Sequence, residues 1–229
     1  MPVFRLIDEP VFPSPQLAAA DGLLAVGGDL SQERLLRAYS MGIFPWYTED
    51  QPILWWSPDP RLILAPDEMR ISRSLRKTID QDIFEVTYDT AFDEVIGSCS
   101  AVHGSKEGST WITEEMRRAY LRLHQSGFAH SVEVRYEGEL AGGLYGVALG
   151  GAFFGESMFH LKSNASKIAL VTLVRTLAAW NFSLIDCQVT TQHLLRLGAR
   201  EIPRSKFMAM LKKALELPTR RGRWTAKGE

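Results

Sequence analysis

A chain of 229 residues, with 45% hydrophobic and 23% charged residues and a formal net charge of −1, has the make-up of a globular protein that can bury a core without covalent staples. Two cysteines, Cys99 and Cys187, lie far apart and outside any CxxC spacing, which excludes a disulfide framework and a zinc site, and no run approaches the ~18 apolar residues that span a bilayer. The near-neutral charge leaves a nucleic-acid partner open, because such a partner needs a local basic patch rather than a basic whole.

The N-terminus carries Asp8, Glu9 and several prolines without an apolar run of signal-peptide length, so a reducing, cytoplasmic setting is expected. Residues 1–60 are rich in Pro, Gly and Trp and read as a small, loop-rich domain. Its one clear helix covers 31–41, with Ser31 as N-cap, Leu30 and Leu35 as a hydrophobic staple and Gly42 as the C′ glycine. Pro45, Pro52, Pro58 and Pro60 argue against long regular elements there.

Residues 61–229 read as a second, larger domain. Arg61 to Ala65 is its first expected strand, and a short helix after Ser72 carries Arg73, Arg76 and Lys77. A strand over 84–88 and a helix over 91–99 follow. Thr113 caps a helix running to Ser126, with Glu114 and Glu115 suited to its dipole. Val132 and Val134 alternate with Glu133 and Arg135, the pattern of a half-buried strand. With strands over 140–149 and 152–159 it makes an antiparallel meander whose turns are Glu137-Gly138 and Gly150-Gly151. The almost wholly apolar stretch 164–180 predicts a buried helix, followed by a strand over 184–189 and an amphipathic helix over 205–217. The basic tail, 220–227, is expected to be loose. The class is α+β, and the element order resembles the core of the N-acetyltransferase-like fold.

Several residues invite a chemical reading beside a structural one. Trp46, Trp55, Trp56 and Trp111 serve either as glue for an irregular domain or as a stacking platform for a base. Arg73, Arg76 and Lys77, at i, i+3 and i+4, share a helix face that is either solvated or in contact with phosphates. Glu156 sits in an apolar strand and needs either an ion-pair partner or a function. Asp186 and Gln188 share a strand face by their spacing, as a structural hydrogen-bond pair or as equipment for orienting a substrate and handling its proton. The five histidines show no HExxH-like spacing, and neither GxSxG nor a P-loop is present.

In combination the motifs become specific. Gly22-Leu23-Leu24-Ala25-Val26-Gly27-Gly28-Asp29-Leu30, Gly42-Ile43-Phe44-Pro45-Trp46 and Pro52-Ile53-Leu54-Trp55-Trp56-Ser57-Pro58-Asp59-Pro60-Arg61 closely resemble the leucyl/phenylalanyl-tRNA–protein transferase family. Thr110-Trp111-Ile112-Thr113, Gly155-Glu156-Ser157-Met158-Phe159, Asn164-Ala165-Ser166-Lys167 and Leu184-Ile185-Asp186-Cys187-Gln188 extend the likeness in the same order. The resemblance implies an N-acetyltransferase-like catalytic domain without an acetyl-CoA site. It implies a terminal adenosine held by Trp46 and Trp111 with Phe153 and Glu156 nearby, and a donor side-chain pocket including Leu144, Met158, Leu173, Leu177 and Ile185. Leu144 differs from the methionine of family members, and Leu173 and Leu177 from their phenylalanines. Asp186 and Gln188 are implied at the reacting centre, with Arg73, Arg76 and Lys77 as tRNA contacts.

The implied substrates are Leu, Phe and Met esterified to tRNA, and acceptor proteins with N-terminal Arg or Lys that are thereby marked for degradation. The donor ester is already activated, so no metal or cofactor is expected; nor are a membrane or a partner subunit. Two rivals remain open at this stage: another aminoacyl-tRNA-dependent transferase, such as a peptidoglycan enzyme, and a non-enzymatic tRNA-binding module.

Overall fold

The computed structural model describes residues 3–107 and 110–225. It contains two sheets. The first is built from β1 (Phe4–Leu6), β2 (Leu23–Gly27), β3 (Phe44–Pro45) and β4 (Leu54–Trp56), in the order β1-β2-β4-β3, with α1 (Gln32–Ser40) between β2 and β3. The N-terminal segment is thus more regular than its prolines suggest. Pro52, Pro58 and Pro60 fall just outside strands, and Pro45 lies in an edge strand, where a missing N–H leaves no ladder bond unmade. Ser31 caps α1 as expected, its Oγ accepting the Arg34 N–H at 3.3 Å.

The second sheet has seven strands. In chain order its elements are β5 (Arg61–Leu64), α2 (Arg73–Asp80), β6 (Glu85–Tyr88), α3 (Phe92–Glu107), α4 (Glu114–Gln125), β7 (Ala129–Tyr136), β8 (Glu139–Leu149), β9 (Ala152–His160), α5 (Ala165–Ala179), β10 (Leu184–Gln188), α6 (Gln192–Arg196), β11 (Arg200–Ile202) and α7 (Arg204–Ala214). The strand order is β11-β5-β10-β9-β8-β7-β6. The expected meander is present as the antiparallel run β7-β8-β9. α5 then crosses over to bring β10 beside β9 in parallel, and β10 pairs antiparallel with β5 on its other side. This is the α+β arrangement anticipated from element order, a meander followed by a buried crossover helix and a further strand. Among the described residues no helix is long and apolar enough to cross a membrane.

Four local expectations need correction. Helix α3 continues eight residues beyond Cys99, and Val102 packs against the core. The short α6 and β11 were not anticipated, since neither is long enough to show a period. Glu133 is fully buried rather than solvent-facing. Hydroxyls of Thr87, Thr90 and Ser131 donate to its carboxylate, so the polar member of the alternation is satisfied internally. The basic tail is held as far as the described residues extend; 226 and 227 lie outside them. Trp224 is 2% exposed, its ring stacks on His130 at 3.7 Å, and its backbone N–H donates to Asp89 at 2.6 Å.

The two sheets share a core. Leu24, Tyr39 and Trp55 from the first belong to one apolar cluster with Phe154, Tyr120 and Phe207 from the second. A second cluster lies between α5 and the other face of the large sheet, with Leu64, Val134, Leu173, Leu177 and Ile185 among its members.

Candidate active site

The two most consequential side chains of the site are placed by strand irregularities. Along β8 and β9 the register passes from Tyr145 opposite Ser157 to Gly146 opposite Gly155, leaving Glu156 as an extra residue. A bulge of this kind re-aims the bulged side chain. Gly146 makes it feasible, because any Cβ there would meet the Phe154 carbonyl at 2.2 Å and the Phe153 ring at 2.6 Å. A second slip falls between Asp186 and Gln188 on β10, where Gln188 has φ +63°. The period-2 expectation that Asp186 and Gln188 share a face therefore fails. Gln188 swings to the side of Ile185 and Cys187, and Asp186 stays beneath.

The result is a cavity of about 360 Å³, in the size range of small-ligand sites. Trp46, Trp111, Phe153 and Glu156 line it, as do Leu144, Met158, Leu173, Ile185 and Gln188. Two candidates are placed elsewhere. Leu177 is fully buried in the core under α5, and Asp186 is fully buried below the cavity wall; neither is a lining residue. Trp46 is 42% exposed, whereas Trp55 is completely buried with its indole N–H on the Gly27 carbonyl. Trp56 donates to the Trp46 carbonyl at 2.7 Å and packs edge-on against the Trp46 ring. The tryptophans thus divide: Trp55 and Trp56 hold the small sheet together, and Trp46 and Trp111 face the cavity.

Among the described residues Glu156 has no cationic partner, contrary to the ion-pair reading. Its Oε1 accepts from Tyr39 and from the Gln188 amide, each at 2.8 Å, and its Oε2 accepts from Tyr120 at 2.7 Å. Burial pushes its carboxyl up to about 7, against the pull of those three hydrogen bonds and with help from the nearby Asp186 charge. The buried ion pair belongs instead to Asp186. Arg61 Nε and Nη2 grip its two oxygens at 2.8 and 2.6 Å, and Asp186 Oδ1 also accepts the Gln188 backbone N–H at 2.9 Å. Gln188 is therefore fixed at both ends, its backbone by Asp186 and its amide nitrogen by Glu156. That leaves its amide oxygen to accept from a substrate. Cys187, also on the wall, is held protonated, because burial and the Asp186 charge push its thiol far up; it is not a thiolate nucleophile. Arg73, Arg76 and Lys77 stand exposed on α2, around the buried Leu75, and do not line the cavity.

Comparison with known proteins matches the sequence to a family. The profile described as leucyl/phenylalanyl-tRNA protein transferase matches residues 63–212, and the one for that enzyme's N-terminal domain matches residues 28–59. A leucyl/phenylalanyl-tRNA–protein transferase of Desulfatibacillum aliphaticivorans is 61% identical over 229 residues, covering 100% of this chain and 98% of its own. That of Myxococcus xanthus is 58% identical over 227 residues, covering 98% and 97%. The chain belongs to the leucyl/phenylalanyl-tRNA–protein transferase family. It is an aminoacyltransferase that carries an aminoacyl group from tRNA to protein. Among solved structures, L-PGS from Bacillus licheniformis is 10% identical with a TM-score of 0.43, covering 73% of this chain and 53% of that one.

The residues that sequence reasoning missed in this transferase are those that hold others in place. Tyr39 and Tyr120 come from α1 and α4, 117 and 36 residues from Glu156, and look like ordinary core aromatics on their helices. Arg61 opens a strand and is 1% exposed. A buried arginine demands a buried carboxylate, but only the fold reveals which one.

Proposed function

We propose that the transferred group is leucyl or phenylalanyl, with methionyl also accepted, and that the acceptor is a protein with N-terminal Arg or Lys, which is thereby marked for degradation. The observation that carries this reading is the doubly fixed Gln188 on the wall of a largely apolar cavity. Leu144, Met158, Leu173 and Ile185 offer the donor side chain contact without a hydrogen-bonding group, so selection rests on size and shape. Such a pocket discriminates by only about 1–3 kcal/mol per methylene and suits a small set of apolar side chains. Trp46 and Trp111 supply ring faces for the terminal adenosine, with Phe153 and Glu156 beside it. The protein acts as a cytoplasmic monomer, and Arg73, Arg76 and Lys77 contact the tRNA.

The chemistry follows from the groups present. The acceptor's α-amine has an ordinary pKa of about 7.7–8.0, so a useful fraction is neutral near pH 7. Its nitrogen attacks the ester carbonyl carbon, the bond to the ribose oxygen breaks, and the amine's surplus proton passes, directly or through water, to that oxygen, which leaves as the ribose hydroxyl. The Gln188 amide oxygen accepts an N–H of the amine and aims its lone pair at the carbonyl, a positioning effect worth up to roughly 7–11 kcal/mol in favourable cases. Both Asp186 oxygens are engaged by Arg61 and Gln188, so Asp186 is a positioning residue. Glu156, with both oxygens engaged, anchors Gln188.

The test is direct. Purified protein, radiolabelled leucyl-tRNA and a model protein with N-terminal Arg are mixed, and label stable to mild base is counted. Transfer that disappears when the acceptor's first residue is Gly supports donor and acceptor together. Transfer that ignores the first residue overturns the acceptor, and RNA binding without transfer to any protein overturns the assignment.

A further inference from the structure

A group of basic side chains beside the cavity has no part in the site described above. Helix α6 brings His193 to the cavity wall, with Arg196 three residues on. Lys167 stands in the first turn of α5, and His160 ends β9 just before it. Lys167, His160 and Arg196 are all near enough to His193 for their charges to add to burial in holding its imidazole below the usual value. None of the four has a carboxylate within ion-pair distance among the described residues. The Nε2 of His193 is buried without a hydrogen-bond partner. Like charges gathered without a counter-ion repel one another, and a bound anion relieves that repulsion.

The cluster is joined to the basic face of α2. Asn164, at φ +70°, makes no side-chain cap for α5. Its amide nitrogen donates instead to Thr78 of α2 at 3.2 Å, and its oxygen accepts from Lys167 at 3.3 Å. On the other side, the Arg70 N–H donates to the Leu197 carbonyl at 2.8 Å. Gly198, at φ +104°, lies so close to the Glu68 carbonyl that a Cβ would sit 2.2 Å from it. α5 and α6 are thus both tied to the segment that carries Arg73, Arg76 and Lys77. The exposed cations of α2, Lys167 and Arg196 therefore stand on linked elements, and His193 of the same cluster reaches the cavity wall.

We propose that Lys167 and Arg196, with His160 and His193 beside them, bind the phosphodiester backbone of the single-stranded 3′ end of the RNA. They bridge the α2 face and the cavity that takes the terminal aminoacyl-adenosine. A cationic track leading to ring faces is the general design of single-strand binding. The inference deepens the proposed function and rests on its placement of the adenosine and of the α2 contacts.

The test uses a fluorescent RNA hairpin with a single-stranded ACCA 3′ tail, in native form and with methylphosphonate linkages confined to the tail. Affinity is measured against salt for the wild type and for the Lys167→Gln/Arg196→Gln variant, with thermal melting to confirm folding. On the native hairpin the variant binds more weakly, and its plot of log affinity against log salt is flatter by about 0.7 for each phosphate that the protein no longer neutralises. On the neutral tail, wild type and variant bind alike. Lys167→Arg restores most of the loss, which a purely structural role for Asn164–Lys167 would not allow. An unchanged salt slope in a folded variant overturns the inference, as does an equal loss on the neutral tail, which would place the interaction on the stem. Failure of the wild type to bind the native hairpin would instead overturn the functional reading on which the inference rests.

Discussion

The Gln188 amide donates to Glu156 at 2.8 Å and so links two strand bulges across the cavity wall. Each bulge alone would leave a polar side chain facing an apolar space. Together they satisfy the Gln188 amide nitrogen and leave its amide oxygen without a partner among the described residues. Gln188→Ala should therefore slow single-turnover transfer by about 10²-fold or more, the scale associated with lost positioning. Near-wild-type rates would remove Gln188 from the reacting centre.

Arg61 and Asp186 form a bidentate pair with both partners almost fully buried. Removing one partner of such a pair costs about 3–5 kcal/mol because the other charge is left uncompensated. Arg61→Met should lower stability on that scale in denaturant titration, and Arg61→Met/Asp186→Leu should recover much of it. A single variant within about 1 kcal/mol of wild type would mean that the pair contributes nothing by charge compensation.

Glu156 connects stability to pH. Its carboxyl is raised from 4.5 to about 7 by burial, so between those values the folded protein holds a proton that the unfolded chain has released. The contribution is fully present below the unfolded value and is lost as pH rises through about 7. Glu156→Gln should flatten the decline in melting temperature from about pH 5 to 8. Parallel profiles for the two proteins would place the titration elsewhere.

The tryptophans should separate by role. Trp55→Ala removes a completely buried ring and should cost about 3–5 kcal/mol of stability. Trp46→Ala, at an exposed position, should change stability by less than about 0.5 kcal/mol yet weaken binding of a 3′-terminal RNA by about 1–3 kcal/mol, the value of one stacked base. Loss of stability without loss of binding in Trp46→Ala would assign that ring to packing.

Leu173 lines the cavity on α5. Leu173→Phe should shift the ratio of kcat/KM toward leucyl and away from phenylalanyl donors by about 10-fold or more, within the range that one or two methylenes command in an apolar pocket. An unchanged ratio would place the donor side chain away from α5.

Much of this arrangement was legible in the sequence because it rests on short-range signals. Ser31, Thr113 and Gly127 mark helix ends through caps and a positive φ, and the strands of the meander declare themselves by alternation and by their glycine turns. The resemblance to the transferase family implied eight of the cavity-lining positions, from Trp46 to Ile185, and Gln188. The rest was hidden because it depends on long-range partners or on broken periodicity. A period of two puts Asp186 and Gln188 on one face, and only the slip against β5 parts them. Glu133 looks solvent-facing until the hydroxyls of Thr87, Thr90 and Ser131 are seen to close on it. Trp224 stands among arginines without a pattern of its own, and only His130, stacked beneath it, explains why the tail is held.

The shared core has a consequence for the order in which the chain becomes competent. Tyr39 and Gln188 reach the Glu156 carboxylate from sequence separations of 117 and 32 residues. During synthesis the small sheet emerges early, but the Glu156 carboxylate that the Tyr39 hydroxyl reaches is made only with β9. Gln188 comes later still. The N-terminal segment must wait, with apolar side chains such as Leu24 and Trp55 only half covered, until its complement leaves the ribosome. Nascent chains stalled before β10 should thus be the form most dependent on protection from aggregation.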